Sequence, residues 1–229
     1  MKPASLLSLR RARGLALLST LLLMLAAMLA GIAVARATFA SVAAARYERE
    51  RLIARGAAEA ALLDAERDIE GSTQTARAAL FTAAGAPSWP AGCGQGAHDR
   101  GLCGETSPPA WRTLDLAALD NPAVLPYGEF SGAPMALGGG LLPARLPAYL
   151  IERLAPAGGQ SGGLYRITAI GFGTRATTQV VLQALYRKPD PAALQGQATR
   201  GPPATALPTG RIGWREIVNW AELHAGAAS

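Results

Sequence analysis

Cys93 and Cys103 are the only thiols in the chain, with nine residues between them in a glycine-rich stretch, and two kinds of chemistry suit such a pair. Tetrahedral zinc wants four ligands and His98 alone lies nearby, so a disulfide is the simpler reading. Closing a loop of about 11 residues would contribute on the order of 2–3 kcal/mol in the chain-entropy model, and would pin a segment with little core of its own. Gly159, Ser161 and Gly163 spell the G-x-S-x-G of a hydrolase nucleophile elbow. That elbow needs a strand before it and a helix after it, whereas here a strand follows. The two histidines, His98 and His224, fall in a loop and near the C-terminal end, so no catalytic triad is supported. GCGQGA at 92–97 has the glycines of a phosphate loop without its lysine or its helix. Asp99, Glu105, Asp115 and Asp120 lack the dense alternation of an EF-hand loop and read as ordinary solvated acids. Trp89, Trp111, Trp214 and Trp220 read as core and edge plugs of a small domain. The expectation is a chain that is not an enzyme, with no catalytic, cofactor or metal residues.

The elements around these residues begin with a charge asymmetry. Formal net charge is +6, but Lys2, Arg10, Arg11 and Arg13 all precede the first long apolar run and no acid does, so removing those four leaves +2. Later arginines are scattered among acids, which is not the basic face of a nucleic-acid binder, and no nucleic-acid partner is expected. Leu15 to Ala35 holds no charge and no proline, and its 21 residues make roughly 31 Å of helix, about one hydrocarbon thickness. It is longer than a secretory h-region and runs into Arg36 without a small-residue cleavage site. The basic cluster before it places residues 1–14 in the cytoplasm and the remainder outside, where enzymes that oxidise thiols act.

Helix is expected to continue over 36–70, which lacks proline and is rich in alanine, leucine, glutamate and arginine. Residues 15–70 would then form one helix of roughly 84 Å, too long to fold back on itself, so its inner part must sit in lipid or among neighbouring subunits. Phe39, Val42, Ala45, Ile53, Ala57, Ala60 and Leu63 recur at threes, fours and sevens and form its expected packing face. Arg55 with Glu59, and Asp64 and Asp68 beside Arg67, are placed on the solvated side. Gly71 is the expected stop. From 82 to 163 glycine and proline predict surface loops. AYLIERLA, LYRITAIGF and ATTQVVLQALYR then read as consecutive antiparallel strands. Tyr165, Ile167 and Ala169 share one face of the second, and Val180, Leu182, Ala184 and Tyr186 one face of the third, ready to pack on the helix. Residues 189–210 read as a linker, and RIGWREIVNW as a short strand or helical turn anchored by Trp214 and Trp220.

RARGLALLSTLLLMLAAMLAG, ARGAAEAALLDAE, GLC at 101–103, YLIERL, YRITAIGFGTRATTQVVLQALYR and WRE, in this order from Arg11 to Glu216, resemble the PilX-type minor pilins of type IV pili. The 71–145 region resembles them least. The resemblance implies an α+β pilin-like fold, with a long N-terminal helix packed on a small antiparallel sheet and a loop-rich head holding the disulfide. It implies a leader at 1–14, a transmembrane helix at 15–35, its periplasmic continuation at 36–70 and a periplasmic head at 71–229. Prepilin peptidase would cut between Gly14 and Leu15, the new terminus would be methylated, and the protein would join other minor pilins and a tip adhesin on the pilus assembly platform. It would pass from the inner membrane to the pilus tip and support pilus biogenesis, adhesion and twitching motility.

One position departs from the family pattern. Most pilins carry a glutamate as fifth residue of the mature chain, where it is thought to neutralise a neighbour's terminal amine within the membrane; here that position is Ser19. A subunit without the carboxylate is poorly suited to follow another but acceptable in first place, which favours a tip or initiating role. The bland alternative is a hydroxyl that satisfies a carbonyl of its own helix. The largest minor pseudopilin of a type II secretion system shares the missing glutamate, though its head normally carries a larger helical insertion. A membrane-anchored periplasmic protein of another function is the remaining alternative.

Overall fold

A computed structural model of the protein describes residues 8–71, 75–82, 86–118, 120–155, 162–189 and 208–227. The chain divides into two compact units, residues 1–49 and 50–229. In the first, the backbone is helical from Ser8 and every residue from 15 to 49 is exposed. Helix α1 continues without a break to Gly71, the expected stop. The leucines and alanines that make this run apolar are also strong helix formers, so propensity and hydropathy agree along it.

In the second unit the end of α1 lies against a six-stranded sheet. After α2 (Thr75–Leu80) and a 3-10 turn (Ala86–Ser88) come β1 (Leu102–Cys103), α3 (Ala110–Thr113) and β2 (Leu125–Pro126). Three long strands follow, β3 (Ala148–Leu154), β4 (Gly163–Phe172) and β5 (Gln179–Lys188), then β6 (Gly210–Glu216) and α4 (Trp220–Ala227). The sheet order is β1-β3-β4-β5-β6, with β2 also paired to β3. The three strands expected from alternation are present and antiparallel. β1, however, runs parallel to β3, with Leu102 opposite Ile151, so the sheet is mixed rather than purely antiparallel. Two residues flanked by glycines carry no period from which that pairing could be read. Of the two alternatives expected for the tail, the strand is formed, with a helix following from Trp220, while most of the 189–210 linker lies outside the described residues.

Tyr165, Ile167 and Ala169 of β4 and Val180, Leu182, Ala184 and Tyr186 of β5 face α1, as their alternation predicts. The helix meets them with a face that keeps Ala57 of the expected row, which is buried, but is otherwise turned away from it. Ala54, Ala58, Ala61, Leu62, Ala65 and Ile69 are buried, whereas Leu63 is exposed and Ile53 and Ala60 are only partly covered. The helical period was right and its phase was about one residue off. Close approach of the backbones is the cause. A Cβ added to Gly171 would overlap the Ala54 carbonyl and the Ala58 nitrogen and lie 2.9 Å from the Ala58 Cα. Only a face of small side chains admits a strand so near, and volume added at such a contact is destabilising.

Polar pairs flank this seam. Glu50 accepts from the Thr174 hydroxyl and the Arg175 N–H, and those bonds hold its carboxyl below the usual range. Arg51 meets Glu216 at 2.5 Å and Glu66 meets Arg211 at 2.6 Å. The Tyr186 hydroxyl donates to Glu70 at 2.6 Å, and burial, then that acceptor, push the phenol pKa up. Arg55 and Glu59 form the expected i,i+4 pair at 3.3 Å. The opposite face of the sheet has its own core, in which Leu150, Ile170, Phe172 and Val181 pack on Trp111, Leu116, Ile217 and Trp220.

Candidate functional site

The segment from Leu15 holds an 18-residue window of mean hydropathy 2.5 with none of it buried, long and apolar enough to cross a membrane. Leu15, Leu21, Leu23 and Met24 each expose more than half their surface. Leaving a stripe this long in water forfeits the main favourable term in folding, so lipid or other apolar chains are its natural surroundings. Gly14 and Leu15 fall inside the continuous helical backbone. The Ser19 hydroxyl donates to the Ala16 carbonyl at 2.8 Å, and Thr20 does the same to Leu17 at 2.9 Å. Ser19 therefore brings no unsatisfied polar group to that depth, and no charge either.

At the far end of α1 two acids that were placed on the solvated side are buried instead. Asp68 meets Arg77 of α2, both side chains 0% exposed, through bonds of 2.8, 2.8 and 2.5 Å. Arg77 also donates to the carbonyls of His98 and Arg100, each at 2.9 Å, and its guanidinium lies 3.8 Å over the Phe130 ring. Asp64, one turn earlier, accepts from the Gly128 N–H at 2.8 Å and from the Ser131 hydroxyl. Burial raises the Asp68 pKa, while the hydrogen bonds and charge of Arg77 act in the opposite sense. Nearby, burial pushes the Tyr149 phenol well above its ordinary value. Two carboxylates and one guanidinium thus fasten α1, α2, the 98–100 turn and the 128–131 turn together. Residue types alone pointed away from this, because acids on helices are usually solvated. The signal was their phase, since Asp64 and Asp68 continue the row of Ala54, Ala57 and Ala61 at threes and fours.

Cys93 and Cys103 form a disulfide, with Cα atoms 4.0 Å apart. The enclosed loop is also laddered, Gly94 N–H donating to the Leu102 carbonyl and Gly104 N–H to that of Gly92, each at 2.8 Å. Trp89 covers it, its indole N–H bonded to the Cys103 carbonyl at 2.8 Å. Because β1 and the carbonyls that hold Arg77 belong to this loop, the bond supports the buried pair as well as the hairpin. Cys93→Ser with Cys103→Ser should lower stability by about 2–3 kcal/mol in urea unfolding followed by tryptophan fluorescence. A loss below about 1 kcal/mol would mean that the ladder holds the loop unaided.

The remaining candidates are not assembled into a reactive centre. Gly159 and Ser161 lie outside the described residues, and Gly163 opens β4. His224 stacks on Trp220 at 5.4 Å between ring centres. Asp99 accepts from the Gly96 N–H and Asp115 from that of Ala117, each within its own loop, Glu105 accepts from the Ala155 N–H just past the end of β3, and Asp120 is exposed. Among the described residues no three histidines, cysteines or acids converge on a metal position. Trp111 and Trp220 are buried and Trp89 partly so, while Trp214 is 50% exposed with Arg55 stacked 5.1 Å from its ring centre. Of these positions the described structure brings together Trp111, Trp220 and His224 as ring packing, and of the residues with reactive chemistry Cys93 with Cys103.

A family model described as the C-terminal part of the type IV pilus assembly protein PilX matches residues 72–188, half of the chain. No curated protein and no solved structure matches.

Proposed function

This chain belongs to the PilX family of type IV pilus assembly proteins, and from that premise we propose that it is a minor pilin acting first in the fibre, at or near the tip. Its role is structural rather than catalytic. Prepilin peptidase removes residues 1–14, and Leu15–Ala35 holds the precursor in the inner membrane with the head in the periplasm. Assembly then proceeds with other minor pilins and a tip adhesin on the assembly platform, in support of adhesion and twitching motility. The observation that carries the reading is Ser19. A carboxylate at that depth is costly in lipid unless an amine compensates it, so a subunit entering behind another gains from the pair, whereas a first subunit has no such neighbour. Here the hydroxyl donates to the Ala16 carbonyl and carries no charge with which to neutralise a neighbour's amine.

Loss of the protein should therefore reduce the number of pili far more than their length, and immunolabel should fall at fibre ends. Ser19→Glu should allow some entry along the shaft. Uniform labelling of native fibres, at a stoichiometry approaching the major pilin, would overturn the tip reading.

A further inference from the structure

We propose that the surface around residues 137–142 docks a neighbouring pilus subunit that presents an acidic side chain flanked by apolar ones, a proposal that rests on the minor-pilin reading. Gly138, Gly139 and Gly140 have φ of 70, 72 and 60°, a run of left-handed backbone open to glycine and rarely to other residues. The loop is closed by its own bonds, Gly138 N–H to the Pro143 carbonyl at 2.9 Å and Leu142 N–H to that of Gly139 at 3.2 Å. Its conformation is thus specified, and what it specifies is exposure: Leu137, Leu141 and Leu142 are 42, 58 and 39% exposed. Single exposed leucines are ordinary, but three within six residues of a backbone-fixed loop make an apolar patch of the kind that marks interaction surfaces.

Beside the patch, and sharing Leu137 with it, is a cavity of about 320 Å³ lined by Leu116, Val124, Arg100 and Arg145. Arg145 lies 3.8 Å over the Phe172 ring and donates one Nη2 bond to the Ala117 carbonyl, while its Nε is buried without a partner. Among the described residues no carboxylate lies within ion-pair distance of it. Arg100 is paired with Glu129 at 3.1 Å. Of the two guanidiniums that line this cavity, Arg100 is held by Glu129, whereas Arg145 feels the charge of Asp115 only from beyond ion-pair distance, and the guest that complements it is an anion on an apolar body. The volume is at the small end of ligand pockets and suits a side chain with its immediate flanks. Protein interfaces commonly join such an anchor in a pocket to an apolar surround that excludes water.

The test places the photo-crosslinker p-benzoylphenylalanine at position 141 of the full chain in piliated cells and identifies the joined peptide by mass spectrometry. The expected adduct is a different pilus subunit, joined through a segment with Asp or Glu beside apolar residues. An adduct with a second copy, an adduct with phospholipid, or no adduct overturns the proposal. In parallel, Leu137→Asp with Leu141→Asp sets like charge against the incoming acid. It should reduce pili at least tenfold with protein level and the Cys93–Cys103 disulfide unchanged. Should that pair not accumulate, the single exposed change Leu141→Asp carries the same expectation. Native pilus numbers in the variant, with few pili in cells lacking the chain, overturn the docking surface and leave the minor-pilin reading standing. Native numbers in cells lacking the chain overturn that reading itself.

Discussion

Arg77→Met should destabilise the head by about 3–5 kcal/mol, the loss expected when one partner of a buried ion pair is removed. The substitution keeps much of the volume and removes every donor. It strands the Asp68 carboxylate at 0% exposure and takes partners from the His98 and Arg100 carbonyls. Asp64 one turn away adds like charge, and the abandoned Asp68 keeps only the smaller influence of the Lys188 charge in place of a bonded cation. Asp68→Asn should cost a comparable amount from the other side, by leaving a guanidinium buried between aromatic rings. The double variant Asp68→Leu with Arg77→Met discriminates between a lost interaction and a stranded charge. Replacing both ions by apolar groups removes the desolvation cost together with the attraction, so the double should recover most of either single loss. Denaturant unfolding of the purified protein in detergent, arranged as a double-mutant cycle, measures all four species. Single losses below about 1 kcal/mol, or a double no better than its singles, would show that the pair does not hold α1 to the 98–131 segment.

Gly14→Leu should abolish processing, the all-or-none counterpart of that graded effect. The native protein should begin at Leu15, and the variant should remain full-length in the inner membrane with Met1 as its first residue. Two physical properties single out Gly14. The helical backbone runs through 14 and 15, so a protease must open it locally to reach the peptide bond. Glycine leaves a helix more easily than any residue but proline, by about 1 kcal/mol relative to alanine, and it lets an enzyme approach the backbone without a Cβ in the way. The charge step from Arg10, Arg11 and Arg13 to an uncharged run would set the depth of that bond at the cytoplasmic surface under the positive-inside tendency. Intact-mass measurement of membrane and fibre fractions reads the result. Native protein that starts at Met1, or a Gly14→Leu variant that matures normally, would remove the main support for leader cleavage.

The features legible in the sequence are those written by local repetition. Uninterrupted apolarity over Leu15–Ala35 marks the membrane-length helix, alternation over 148–188 marks three strands and the β4 and β5 faces that turn inward, and two isolated cysteines in one glycine-rich loop predict their own bond. Each rests on contacts within a few residues, or on the absence of any rival partner. What only the tertiary structure decided rests on which distant groups come together. Gly171 drew the strand close enough that Ala54 and Ala58, rather than Ile53 and Leu63, came to lie in the buried face of α1. That rotation carried Asp64 and Asp68 inside, where low dielectric makes a partner obligatory, and Arg77 supplies Asp68 with one. The parallel pairing of Leu102 with Ile151, the second core under Trp111 and Trp220, and the leucines held outward by Gly138, Gly139 and Gly140 have the same origin. A helical period names a row of residues at each phase, and backbone approach and desolvation, both non-local, choose which row faces in.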